Sequence, residues 1–412
     1  MPEIIILGAG MVGVTAALEL QSRGHSVAIV DRTGAGQETS FGNAGIIQAE
    51  CAEPHLLPRD ITTLLRMALG KTNDFTWSAS AMLKSAPALM QYYRSSHPTR
   101  FKRIATVYSQ LTSLSTQDHA VWIDAAGTDS LITRDGFNFV FHNSKAFDGA
   151  AKDAERVKNA YCLQSRVIDG AQYAREEQAI TRAPTGVIHW PQAWTCSDPA
   201  GLTQKYADLF IDRGGEIFRG DAETLQDRGY GWDVTTSTGK IQASSIIVAL
   251  GPWSPAFLKR FGYKIPMILK RGYHTHFAPP IMPRAPFVDT SAGVAVAPMA
   301  MGLRVSSGVS IVRHDAPANP QQLVRGANEV SQMINLGEQI DAPPWVGSRP
   351  FIPDMLPVVG QAPRHKTLWF NFGHGHQGFT LGPTTARLLV DSMDKNMSTS
   401  ELQTPLSPAR FP

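Results

Sequence analysis

Near the end of this 412-residue chain, His374 and His376 stand one residue apart among glycines in "GHGHQGF" (373–379). Two imidazoles at that spacing could ligate a metal, exchange protons as a pair, or line a planar ligand. A metal needs more ligands than one His-x-His offers. No further Cys, His or acidic cluster has recognisable spacing, so no metal is expected. At the other end, Gly8, Gly10 and Gly13 are spaced GxGxxG. The first glycine of such a set makes a tight turn, the second admits a pyrophosphate, and the third lets helix pack on strand. Met11 and Val12, between them, fall where a helix start offers free N–H groups to phosphate. Asp31, after the next apolar run, can accept hydrogen bonds from a ribose 2′-hydroxyl. It would repel the 2′-phosphate of NADP, but it does not separate NAD from FAD. The three cysteines, Cys51, Cys162 and Cys196, share no CxxC spacing. Each is expected to be a small buried apolar residue in a reducing compartment.

These residues need elements to hold them. Ile4–Leu7 is a continuous apolar run, as in a parallel strand covered on both faces. Residues 14–23 read as the following helix, with Gly24 as its stop signal, and residues 27–30 as a second strand. A lone GxGxxG is weak. One between strand and helix, with an acid ending the next strand, is a strong dinucleotide signal. Residues 369–372 read as a strand and 380–390 as a helix, which makes the histidine motif a strand-to-helix turn. Asp198 and Pro199 suit the N-cap and first position of a helix that leads into a strand by residue 220. Residues 85–127 read as two amphipathic helices, and 246–250 as a buried strand closing on Gly251. Residues 277–286 form a proline-rich turn or edge, and the tail from 396 onward looks polar and loosely held.

The stretch "GQETSFGNAGIIQ" (36–48) is dense in small residues just beyond the second strand. A loop that carries a second planar ring needs close backbone approach and short donors, which Thr39, Ser40, Asn43, Ala44 and Gly45 supply. Further on, "VGSRPFIPDMLPVVGQAP" (346–363) follows the pattern G-x-RP-x-x-PD-x-x-P-x-x-G. With these motifs the chain resembles the D-amino-acid dehydrogenase branch of the FAD-dependent amino-acid oxidoreductases, the DAO superfamily that includes glycine oxidase and sarcosine oxidase. The resemblance runs along nearly the whole chain.

It implies FAD as cofactor and an α/β fold, with a Rossmann-type FAD-binding domain interleaved with an antiparallel-sheet substrate domain of α+β type. Residues 1–85, 145–170, 198–258 and 346–412 would form the first domain. Residues 86–144, a helical insertion, would join 171–197 and 259–345 in the second. The implied cofactor site holds Gly8, Gly10, Met11, Val12, Gly13, Asp31, Arg32, Thr39, Ser40, Asn43, Ala44, Gly45, Gly251 and Trp253. It continues at Gly373, Gly375, His376, Gly378, Phe379 and Thr380. There, glycine admits the flavin ring and the helix N-terminus faces the flavin N1 and C2 carbonyl, which favours the reduced state. Arg349 matches the arginine that fixes a substrate carboxylate, and Tyr273 a tyrosine that could give a second hydrogen bond. His374 or His376 either lines the ring or substrate, or only caps the turn. Arg304 is expected to be a sheet-edge arginine paired with an acid, and His274 and His276 to be solvated. Ser310 stands where relatives often carry Glu.

The expected reaction is oxidation of the Cα–N bond of a D-amino acid or cyclic D-imino acid such as D-proline, giving an imine and then a 2-oxo acid. An oxygen-using amine oxidase and an FAD-bound subunit of a heteromeric complex are the rival readings. A net charge of +3 without a basic stripe gives no nucleic-acid face. No apolar run reaches the ~20 residues of a membrane span, and the N-terminus lacks the basic region of a signal peptide. A cytoplasmic protein is expected. Residues 54–71 could be an interfacial amphipathic helix at the inner membrane, where a quinone would accept electrons, though core packing explains such a pattern more often. The oligomeric state is open.

Overall fold

The computed structural model describes residues 2–70, 72–394 and 401–411. Ile4–Leu7, buried along its whole length, lies inside a six-stranded sheet. The strand order is Glu216–Arg219, Val27–Asp31, Ile4–Leu7, Ser245–Val248, Leu368–Phe372 and Val358–Gln361. Every neighbouring pair is parallel except the last. Parallel strands need cover on both faces. On one side the helices Met11–Ser22, Pro199–Asp212 and Gly378–Met393 supply it, with Leu18, Tyr206, Phe210 and Leu389 fully buried among them. On the other side Trp232, Phe257 and Phe372 fill the core. Met11–Ser22 and Gly378–Met393 meet closely because Gly382 has no side chain: a Cβ there would lie 2.9 Å from Met11 Cγ. Asp198 caps Pro199–Asp212 as its sequence suggests, accepting from Gly201 N at 2.9 Å.

A larger sheet of eleven strands stands over this unit. Its long strand Ile268–Ala278 pairs antiparallel with Gly302–Ser307 on one side and Trp345–Phe351 on the other. Mixed α/β architecture with one mainly parallel and one mainly antiparallel sheet agrees with the sequence expectation. Several segments lie elsewhere than expected. Residues 145–170 sit with the large sheet: Arg166–Asp169 pairs with Gly186–Trp190, and helix Ser144–Tyr161 packs there too. Phe75–Trp77 and Trp345–Phe351 also belong to that sheet. Paired strands decide this, and which distant strands pair is not written in local periodicity.

The tail also differs. Residues 395–400 lie outside the described residues, but Leu406 and Phe411 are buried, and Arg410 Nε donates to Asp354 Oδ2 at 2.7 Å. Cys162 is exposed, ending helix Ser144–Tyr161 in a left-handed conformation; Cys196 is buried and Cys51 half-buried. The two helices expected over 85–127 are Ala79–Ser95 and Pro98–Ala125. The amphipathic stretch forms helix Ile61–Ala68, capped by Asp60, and none of its residues is buried. Leu64, Met67 and Ala68 wall the cavity described below, while Ile61 and Leu65 are exposed. Core packing is therefore not the reason for its pattern. Among the described residues no helix is long and apolar enough to cross a membrane.

Candidate active site

A cavity of about 1530 Å³ is walled by residues of both sheets. One end is built on the glycine turn. Gly8 has φ +108°, and a Cβ there would lie 2.6 Å from Ala249 O, so only glycine fits the turn. Gly10, Met11 and Val12 line the cavity. Gly13 does not; its missing Cβ, which would come 2.0 Å from Gly8 O, lets the helix sit on the strand. Asp31 and Arg32 form the side wall. Asp31 Oδ2 accepts from Ala9 N at 2.8 Å, and Oδ1 accepts from Thr33 N at 2.7 Å and Gly34 N at 2.9 Å. The carboxylate thus fastens the turn besides facing the cavity. The Arg32 guanidinium stacks 4.2 Å over the Trp253 ring and pairs with Glu38 at 2.8 Å. Gly251 and Trp253 line the same end.

The loop after the second strand continues the wall with Thr39, Ser40, Asn43 and Ala44. Ser40 Oγ accepts from Met11 N at 3.0 Å, joining loop to helix. Gly45 lies behind the wall: its φ is +72°, and a Cβ would meet Cys196 O at 2.1 Å. Arg304 also lies outside the wall. Its guanidinium donates to Phe41 O and Asn43 O, and its Nε donates to His276 Nε2 at 3.0 Å. His276 therefore donates through Nδ1 to Asp341 Oδ2, 2.8 Å away. Against the expectation, Arg304 is neither at a sheet edge nor paired with an acid among the described residues: it is 3% exposed on a strand between Ile268–Ala278 and Val294–Met299, and it staples the loop after the second strand through carbonyls. His274 and His276 are both fully buried, against the expectation of solvated positions. His274 stacks on Trp345 at 4.9 Å between centroids.

The histidine motif forms the far wall. Gly373 (φ +86°) and Gly375 (φ +62°) make the turn, and Gly375 N donates to Pro350 O at 2.9 Å, tying it to the strand Trp345–Phe351. Gly378 and Phe379 open the helix Gly378–Met393 at the cavity, so unpaired N–H groups of its first turn face inward. Thr380 lies behind, its Oγ1 donating to Ile46 O at 3.2 Å. The two histidines divide the two readings. His374 Nε2 lies 2.9 Å from Thr385 Oγ1, whose own proton goes to Leu381 O. His374 is thus the donor, neutral, with burial pushing its imidazole down to about 3. It fastens the turn to the helix as well as reaching the cavity. His376 stands beside His55 with ring centroids 4.9 Å apart, and burial first, then His55, Arg349 and Lys270, hold it well below the usual histidine range.

At this end the sheet delivers Arg349. It stands opposite Lys270 in the antiparallel register, and strand alternation puts Lys270, Gly272 and His274 on one face. Gly272 makes room for the guanidinium: a Cβ there would lie 2.7 Å from Arg349 Nη1. Arg349 donates to Gly308 O at 3.0 Å and Ser307 O at 3.3 Å, and it has no carboxylate partner among the described residues. Tyr273 points to the opposite face. It is 3% exposed and packs in the core of the large sheet, where its hydroxyl accepts from Asn319 N at 3.1 Å, although the residue still borders the cavity. Period-two alternation, applied to "LKRGYH", would have predicted this.

Sequence reasoning missed Lys270, His55 and Tyr92. Lys270 Nζ lies 3.3 Å from the Phe351 ring centroid and 4.7 Å from that of Tyr92. Burial, then Arg349, pushes its ammonium down to about 7. His55, whose surface is largely exposed, is lowered less firmly than the buried histidines, by desolvation at the cavity wall and by Lys270 and Arg349. Among the described residues no group of three or more His, Cys, Asp or Glu could hold a metal.

A dinucleotide carrying a ring system fits this cavity on several counts. The volume suffices, the Gly8 turn and helix N-terminus face in at one end, and a second N-terminus faces in at the other. Asn371, fully buried on the wall, has neither its side-chain oxygen nor nitrogen paired among the described residues, so a bound group can take both.

The chain is 27% identical over 408 residues to the D-amino acid dehydrogenase of Chromohalobacter salexigens, covering 95% of each. It is 29% identical over 426 residues to the D-amino-acid oxidase of Bradyrhizobium diazoefficiens, covering 100% of each. Its fold is similar to that of glycine oxidase from Geobacillus kaustophilus, with a TM-score of 0.74 at 18% identity over 100% of this chain and 99% of that one. The family model for FAD dependent oxidoreductases, DAO, matches residues 3–392, from the first strand to the end of the helix after the histidine turn. With that span and a cavity shaped for the cofactor, the chain belongs to the DAO family of FAD-dependent oxidoreductases, and its cofactor is FAD.

Proposed function

We propose that this protein oxidises the Cα–N bond of a D-amino acid or cyclic D-imino acid, the imine then hydrolysing to a 2-oxo acid. The observation that carries the reading is Arg349. It faces the cavity beside the histidine turn with no carboxylate of the chain to pair with. A substrate carboxylate would complete it with charge-assisted hydrogen bonds in a planar fork. The relatives named D-amino acid dehydrogenase and D-amino-acid oxidase support the substrate class.

In this reading the six-stranded unit holds FAD and the large sheet walls the substrate. Gly8, Gly10, Met11 and Val12 would take the pyrophosphate, with Asp31 and Arg32 beside the ribose and Trp253 nearby. Thr39, Ser40, Asn43 and Ala44 would run along the flavin. Gly373, Gly375, His376, Gly378 and Phe379 would stand at its ring. FAD supplies the hydride acceptor. The chain supplies binding, orientation and electrostatics. Hydride leaves Cα only when the substrate amine is neutral. Arg349 and Lys270 place positive charge near that amine, which disfavours its ammonium form. His55 and His376, held neutral, add none.

The experiment is anaerobic mixing of the purified yellow protein with D-amino and cyclic imino acids, reading flavin absorbance. Bleaching by D- and not L-enantiomers supports the reading. Readmission of air then tells a dehydrogenase, which would need another acceptor such as a quinone, from an oxidase. A protein that no such substrate bleaches would leave the silent-subunit reading in its place.

A further inference from the structure

The wall around Arg349 carries more positive charge than one substrate carboxylate can balance. Lys270 stands directly opposite Arg349 in the register, on the same face of the sheet. Both side chains line the cavity. Neither has a carboxylate partner among the described residues. The other groups facing Lys270 are His55 from the loop before helix Ile61–Ala68, His376 from the glycine turn and Tyr92 from helix Ala79–Ser95. None is an acid. A half-buried pair of cations on a cavity wall without a counter-ion is unfavourable, and a ligand that brings the missing charge relieves it.

The two heads are also set apart. Arg349 reaches over Gly272, toward Ser307 and Gly308. Lys270 leans the opposite way along the sheet, onto Phe351 and Tyr92. At ~3.3 Å per residue, the two-residue step from Lys270 to Gly272 alone puts roughly 7 Å between them. A short carbon chain between two carboxylates, with an ion pair at each end, spans such a gap.

We propose that Arg349 and Lys270 form a two-cation site for an amino acid that bears a second carboxylate, Arg349 holding the α-carboxylate and Lys270 the one on the side chain. This rests on the reading of Arg349 given above. The near-neutral titration of Lys270 adds a signature. The second carboxylate binds only the ammonium form, so the preference for a diacid should weaken as pH rises from 6 to 9. Over that range Arg349 stays charged and His376 stays neutral, and the Lys270→Met variant, which keeps His55, separates any titration of His55 from that of Lys270.

The test uses holoenzyme and isosteric pairs, D-glutamate against D-glutamine and D-aspartate against D-asparagine, with a dye acceptor. Wild type should show higher kcat/KM for each acid than for its amide. Lys270→Met should lower the acid-to-amide ratio ~30-fold or more, the effect of breaking an enclosed charge pair. Lys270→Arg should restore much of the ratio. Malonate and succinate, titrated against acetate and propionate by flavin absorbance, read the same preference without turnover. Equal losses for acid and amide in Lys270→Met, or a wild-type preference for the amides, overturns the proposal. Arg349→Ala separates the two levels: if it leaves acid and amide alike unharmed, the underlying reading of Arg349 fails, whatever Lys270 does.

Discussion

At the residue scale, the decisive groups are those whose partners the chain does not supply. On the proposed reading, Arg349→Ala removes the group that would hold the substrate carboxylate. Substrate KM should rise ~30-fold or more, as for a broken buried charge pair, while FAD stays bound; steady-state kinetics and the flavin spectrum check both parts. Near-wild-type saturation would make Arg349 a purely structural donor to Ser307 and Gly308. His374 differs, because its Nε2 is already spent on Thr385. His374→Ala should loosen the glycine turn at the ring, shifting flavin absorbance and slowing reduction, with no loss of substrate selectivity. Stopped-flow reduction across two substrates reads this. Arg349 was legible in the sequence because it sits in a dense motif. Lys270 was not, since its meaning comes only from a neighbour almost eighty positions away, brought opposite by strand pairing.

At the scale of elements, His119 is the clearest link. It lies fully buried on helix Pro98–Ala125, and its Nε2 donates to Phe379 O at 2.8 Å, at the start of helix Gly378–Met393. Burial pushes it down to about 4. The unfolded chain takes up a proton near pH 6.5, and the folded one does not. The stability this group contributes is full above 6.5 and is lost as pH falls toward 4, by up to ~1.4 kcal/mol per pH unit. His274 and His374, both buried, act in the same direction. Glu50, raised to about 7 by burial, opposes them between its unfolded value and 7. Three histidines outweigh one acid, so the melting temperature should fall between pH 7 and 5. His119→Gln should flatten part of that slope in a melting series; an unchanged slope would show that His119 titrates normally in the fold. The elements themselves were mostly legible. The first strand, the helix after the glycine turn and the helix after the histidine turn follow local periodicity and cap signals, and only their ends moved. Met11–Ser22 begins three residues earlier than the apolar pattern suggests, because Met11 and Val12 serve the helix N-terminus at the cavity.

At the scale of the molecule, two sheets meet around one cavity, and each contributes a different function to it. The nucleotide end was readable because its glycines, helix and acid are contiguous. The substrate end was not, because it gathers His55, Lys270, Arg349 and His376 from four separate stretches. The segments 75–77, 145–170 and 346–351 join the large sheet and not the expected unit for the same reason: local pattern sets a strand's character more readily than its partner. The amphipathic helix Ile61–Ala68 closes part of the cavity with Leu64 and Met67 while Ile61 and Leu65 stay exposed. The measurement that tests the central claim most directly is anaerobic flavin reduction by a panel of D- and L-amino acids and cyclic imino acids. The expected result is a yellow protein that releases FAD on acid precipitation and is bleached by D-enantiomers, each yielding its 2-oxo acid. A flavin-bearing protein that no D-amino or imino acid reduces, or that L-enantiomers reduce equally well, would contradict it.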